Sequence, residues 1–194
     1  MELSKEIVLE NDRVMLRPMK SKDLDLLTHF SLNESELWTY SLTPANGIEN
    51  LKMYMSKALA DRAAGKSYPF IVMDKTANKI AGSTRFYDIN EGYSTIQLGY
   101  TWYGKEFQGT GLNKNCKYLM LSYAFENWQM ERVEFRADYN NKRSIAAMKS
   151  IGCVEEGVLR SNCSSPAGRR DSIVLSILKD EWHAKVKKNL EAKL

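Results

Sequence analysis

The segment FQGTGLNKN (107–115) sets two glycines, Gly109 and Gly111, one residue apart at the mouth of a helical pattern. Glycine there loses backbone entropy and packs nothing, so its use points to a task that needs bare main chain. A helix N-terminus offers unpaired N–H groups and a partial positive charge, a combination that holds phosphate. The first turn, LNKN, contains Lys114 and no acid, the reverse of what a lone helix favours. An anion seated there removes the conflict, although a turn with an unoptimised helix start also accounts for these residues. Two phosphate motifs fail by one residue each. Gly104 and Gly109 have P-loop spacing, but Thr110 stands where that loop needs lysine. Gly109 and Gly111 begin a GxGxxG, but Lys114 occupies the third glycine position, where a side chain blocks helix–strand contact.

A third glycine narrows the ligand. Gly99 lies inside the strand-like run YSTIQLGYTWY (93–103), and an interior glycine marks a bulge or a ligand meeting the backbone. An opened strand leading into a phosphate-holding helix start suits a ligand with both an amide chain and a pyrophosphate. Coenzyme A has both: its pantetheine amides can pair with a strand edge while its pyrophosphate sits on the loop amides.

Around these residues the elements read in order. RVMLRP (13–18) alternates as a strand, and Ser21 can cap a helix carrying Leu24, Leu27 and Phe30. Asn46, with Glu49 three residues on, starts a second helix that Gly65 ends. Strands are expected over 69–73, 79–87 and 93–103, the last with Ile96, Leu98, Tyr100 and Trp102 on one face. A helix follows from Leu112 to about Trp128, then a strand over 132–138 and a helix over 144–151. VEEGVLR and DSIVLSIL form two strands joined across SSPAG, and a last helix covers about 180–191. Hairpin-linked strands followed by crossover helices predict a mixed sheet with helices on both faces, in the α/β or α+β class.

The 194 residues, 43% hydrophobic and 27% charged, suit one domain with a proper core. A net charge of +4, from 28 basic and 24 acidic residues, is too mild and too mixed to mark a nucleic-acid surface. Lys185, Lys187, Lys188 and Lys193 read as the solvated face of the last helix. Cys116, Cys153 and Cys163 have no metal-ligand spacing, so no metal site is expected. The charged start MELSKEIVLEND and the lack of a membrane-spanning run give the expectation of a cytoplasmic protein with no membrane partner.

With QLGYTWY, the QGTGLN loop and its helix, NNKRSIAAMKSIG and VLR…GRRDSIVLSILKDEW in this order, the chain resembles the GNAT superfamily of acyl-CoA-dependent N-acetyltransferases. It is most similar to the ribosomal-protein N-terminal acetyltransferase branch, and the resemblance runs from about residue 13 to 182 of a single domain over 1–194. The resemblance implies a largely antiparallel sheet with a splayed central strand pair, and acetyl-CoA as cosubstrate. It further implies that Leu98, Gly99 and Tyr100 pair with pantetheine, that Gln108, Gly109, Thr110, Gly111, Leu112 and Asn113 hold the pyrophosphate, and that Asn141 bonds the pantetheine arm. Asn141 equally suits a helix cap. Three positions depart from the family pattern: Glu106 replaces the usual Gln or Arg, Met148 the tyrosine acid, and Gln97 a frequent glutamate.

Transfer would then proceed by direct attack of a neutral amine on the thioester, with backbone N–H groups facing the oxyanion. Ser144 is the candidate hydroxyl for the departing thiolate, by analogy with that branch, and a helix-start serine bonded to its own backbone is the other reading. Glu134 is the candidate base, against an ion pair with Arg132 or Arg136. Trp38, Tyr40, Tyr87, Tyr93 and Tyr103 sit where an acceptor could enter, as core or as rim. The acceptor is a primary amine, on a protein N-terminus or a small molecule, and a homodimer is left open. A non-catalytic acyl-CoA-binding module and a basic RNA-binding protein stay as alternatives.

Overall fold

Val14 and Leu16 alternate with solvent-facing neighbours, and this run forms the second strand of the computed structural model, which describes residues 3–194. Strands β1 (Leu9–Glu10) and β2 (Val14–Pro18) come first, then helices α1 (Leu24–Asn33) and α2 (Ile48–Ala63). Next come β3 (Ser67–Asp74), β4 (Lys79–Asn90) and β5 (Thr95–Tyr103). Helix α3 (Leu112–Ser122) runs on through a π turn (Tyr123–Asn127) and crosses to β6 (Arg132–Asp138). Helix α4 (Lys142–Ser150) precedes the hairpin of β7 (Val154–Ser165) and β8 (Gly168–Leu178). The C-terminal helix begins at Lys179–Glu181, passes through a π turn (Trp182–Val186) and ends with Lys187–Glu191.

The strands form one sheet in the order β1-β2-β3-β4-β5-β6-β8-β7. Neighbours are antiparallel except β5 and β6, whose parallel pairing requires the α3 crossover. Helices α1 and α2 cover one face, burying Leu27, Leu51, Met55 and Ala58. Helix α3 and the C-terminal helix cover the other, where Trp182 is fully buried and stacks on Phe125. Helix α4 lies with them, since Lys193 Nζ donates to the Ser150 carbonyl.

Local details depart from the sequence reading in three places. Ser21 does not cap α1; it opens a 3-10 turn, and Asp23 accepts the Lys20 N–H at 2.8 Å while pairing with Arg17. Asn46 does not cap α2, because Gly47 at φ 83° takes that position. Tyr100 and Trp102 do not share a face with Ile96 and Leu98. The β4–β5 register slips between Ser83 and Arg85, so that Tyr100 and Thr101 together oppose Thr84, and Tyr100 has φ 49°. This bulge turns Tyr100 and Trp102 toward α1 and α2, and it leaves the Thr101 hydroxyl on Lys117 of α3.

Candidate active site

Strands β5 and β6 pair over only three positions, Thr95↔Arg132 to Gln97↔Glu134, and then part. Beyond Gln97 the residues Leu98 and Gly99 pair with β4 on one side, Tyr100 bulges, and none of the three has a strand on the other side. A cleft of about 1310 Å³ opens there, reaching from the α3 N-terminus to the connection between α1 and α2. Gly99 lines it, but for a reason the sequence did not show. A Cβ at Gly99 would lie 2.9 Å from the Tyr87 ring, so the glycine makes room for that side chain.

The loop before α3 is pinned from within. Gln108 Nε2 donates to the Tyr103 carbonyl at 2.6 Å, and the Thr110 hydroxyl to the Phe107 carbonyl at 2.8 Å. Gly109 and Gly111 adopt φ 78° and 85°, which turn the chain so that its N–H groups face outward. Among the described residues, the backbone N–H groups of Gly109, Thr110, Gly111, Leu112 and Asn113 have no acceptor. Nothing lies within 4 Å of where a Cβ would stand on either glycine. Five successive unpaired donors and open space at a helix N-terminus fit a pyrophosphate. The Thr110 side chain turns back to the loop and Leu112 is fully buried, so these two can offer only main chain. Asn113 accepts from the Tyr103 hydroxyl at 3.3 Å, and Lys114 lines the cleft beside it. Glu106 pairs with Lys79 at the surface, outside the cleft wall.

Across the gap, Asn141 caps α4 by accepting the Ser144 N–H at 3.1 Å, and both side chains line the cleft. Its amide NH2 remains for another acceptor. Met148 is buried on the same wall, one helical turn further on. Glu134 is not brought into the cleft. Its two oxygens take Arg132 at 2.8 Å and Arg136 at 2.6 Å, the ion pair that was the other reading of this residue.

Several groups on the wall were not legible in the sequence. Asp88, at φ 49° where β4 slips against β5, accepts from Gln97 Nε2 at 2.6 Å. Lys117 is buried and donates to Thr101 at 2.7 Å and Thr84 at 3.3 Å; burial pushes its ammonium down to about 8. Arg85, 2% exposed, lies over the rings of Tyr54 and Tyr100. Burial, then the neighbouring Tyr100, keeps the Tyr87 hydroxyl protonated well above its usual range. Of the aromatic residues expected at the entrance, Trp38, Tyr40, Tyr87 and Tyr103 line the cleft, Trp38 and Tyr103 while buried in the core, and Tyr93 lies outside it. Among the described residues no cluster could hold a metal ion.

The family description "Acetyltransferase (GNAT) domain" matches residues 13–154. YdaF of Bacillus subtilis (strain 168), provisionally named a ribosomal N-acetyltransferase, is 30% identical over 103 residues, 53% of this chain and 56% of that protein. The chain thus spans a little over half the length of that relative. A crystal structure from T. thermophilus, provisionally titled an acetyltransferase, superposes with a TM-score of 0.84 at 32% identity, covering 96% of each chain. Mycobacterium smegmatis RimJ, solved in complex with CoA-disulfide, shares the fold at a TM-score of 0.80 and 20% identity, over 96% of this chain and 93% of that one. A strand pair that opens beside an unpaired helix start thus coincides with a family match over most of the sequence: the chain belongs to the GNAT acetyltransferase family.

Proposed function

We propose that this chain transfers an acetyl group from acetyl-CoA to a primary amine by direct attack, with both substrates bound. The observation that carries the reading is the run of five unpaired backbone N–H groups, 109–113, beside the open edge of β5. The cofactor, once bound, supplies an acetyl group activated as a thioester. Main chain at Leu98 and Tyr100 can pair with its amide arm, and Asn141 can add one side-chain donor. Gln108 holds the phosphate loop in shape through its bond to Tyr103.

For proton movement the wall offers two groups. The Ser144 hydroxyl, at the first turn of α4, is assigned to protonate the departing sulfur. Asp88, oriented by Gln97, is assigned to take the proton of the incoming ammonium through a bridging water. Neither buried thiol serves as a nucleophile, because burial pushes Cys116 up to about 11 and Cys153 up to about 12. Holding both reactants in one orientation supplies the larger part of the acceleration.

The name of YdaF, a ribosomal N-acetyltransferase, supports a protein amine as acceptor, and the unpaired cysteines fit a cytoplasmic location. A thiol-release screen with acetyl-CoA against peptides and small amines tests the reading. Turnover with at least one amine is expected. Acetyl-CoA binding without thiol release from any of them would replace it with a non-catalytic binding module.

A further inference from the structure

Arg85 has no counterpart in the cofactor half of the site. Its strand neighbour Thr84 points to α3, where Lys117 donates to it, so Arg85 points the other way, onto Tyr54 of α2. The guanidinium carbon lies 4.8 Å from the Tyr54 ring centre and 4.0 Å from that of Tyr100. Those rings interact with its charge but accept none of its in-plane hydrogen bonds. Nε and Nη2 find no acceptor, and among the described residues no carboxylate pairs with it. A buried guanidinium left in this state is a large uncompensated cost, and the phosphates expected at α3 lie on the other side of the sheet. Arg85 nevertheless lines the cleft. Arg170, 8% exposed and also lining the cleft, donates from Nη1 to the Tyr40 carbonyl at 3.4 Å but leaves Nε without a hydrogen bond, with the Asp138 carboxylate 4.0 Å away.

The planar fork of a guanidinium matches the two oxygens of a carboxylate. We propose that Arg85 recognises a carboxylate in the acceptor half of the cleft, so that the acceptor is a primary amine whose molecule also bears a carboxylate. This rests on the N-acetyltransferase reading and names the substrate class for it. The carboxylate has two sources: the α-carboxylate of a free amino acid, or an acidic side chain close to a peptide N-terminus.

The test measures thiol release from acetyl-CoA with matched acceptors. One arm sets free amino acids against their amides; the other sets C-terminally amidated peptides with glutamate at the second or third position against the same peptides with glutamine. In one arm the carboxylate member is expected to lead in kcat/KM by about 30-fold, the effect of one charged hydrogen-bonded pair. Arg85→Gln should collapse that preference to within about threefold, with coenzyme A affinity by calorimetry unchanged, and Arg85→Lys should fall between. The wild-type comparison stands even where a variant folds poorly. Turnover with no preference in either arm overturns this proposal alone, as does an Arg85→Gln enzyme slowed equally on both members of a pair. No thiol release from any amine, with coenzyme A still bound, overturns it together with the enzymatic reading.

Discussion

Lys117 shows what a single side chain contributes against its own burial. It lies in the core side of the cleft with two threonine hydroxyls and no carboxylate, and burial lowers its ammonium from 10.5 to about 8. Between these values the unfolded chain still binds the proton while the folded chain has released it. Lys117 therefore destabilises the fold most below pH 8, and that penalty fades as pH rises toward 10. Lys117→Met should be more stable than wild type at pH 7 by on the order of 2 kcal/mol. Thr84 and Thr101 already bond each other at 2.7 Å, so the change strands neither. Denaturant melts of both proteins from pH 7 to 9 check this; a difference that does not shrink with pH would contradict it. Glu134 makes the opposite case. Held by two guanidiniums and outside the cleft wall, it is not expected to act as the base, and Glu134→Gln should keep single-turnover rates within a few fold of wild type. A drop of several hundredfold with the fold intact would restore it as the base.

At the level of elements, the order of strands and helices was legible because hydrophobic period and glycine breaks are local properties. The strand over 132–138 and the turn at 75–78 match the structure residue for residue. The bulge at Tyr100 was not legible, since it exists only as a slip of β5 against β4, and a single strand carries no record of its register. The expected Ser21 cap failed for a similar reason: Asp23 outcompetes it through its pair with Arg17, a contact from β2, whereas the local Asn141 cap formed. The turned backbone before α3 was legible because two glycines one residue apart at a helix mouth need positive φ. Gly111→Ala at φ 85° meets no clash but strains the backbone, and should cost about 1 kcal/mol of stability. It should also weaken coenzyme A in calorimetry by re-aiming the amides. Gly99→Val should act differently, driving Tyr87 out of place and lowering stability more than the Gly111 change. Thermal melts of the two variants decide between these outcomes.

For the whole molecule, the proposed cofactor half of the cleft comes from one continuous stretch, 98–113, with Asn141 and Ser144 beside it. The proposed acceptor half draws on Tyr54 of α2, on Arg85 and Asp88 of β4, and on Arg170 of β8, three stretches far apart in the chain. That difference explains why acetyl-CoA was readable from the sequence and the acceptor was not. No helix among the described residues is long and apolar enough to cross a membrane. The proposed reaction depends on backbone amides at 109–113 holding a pyrophosphate. Calorimetric titration of the folded protein with coenzyme A and, separately, with pantetheine, which has the same amide arm and no phosphate, tests this most directly. Saturable micromolar binding of coenzyme A, with pantetheine weaker by at least about 100-fold, is the expected result. Equal affinities, or no coenzyme A heat at millimolar concentration, would contradict it.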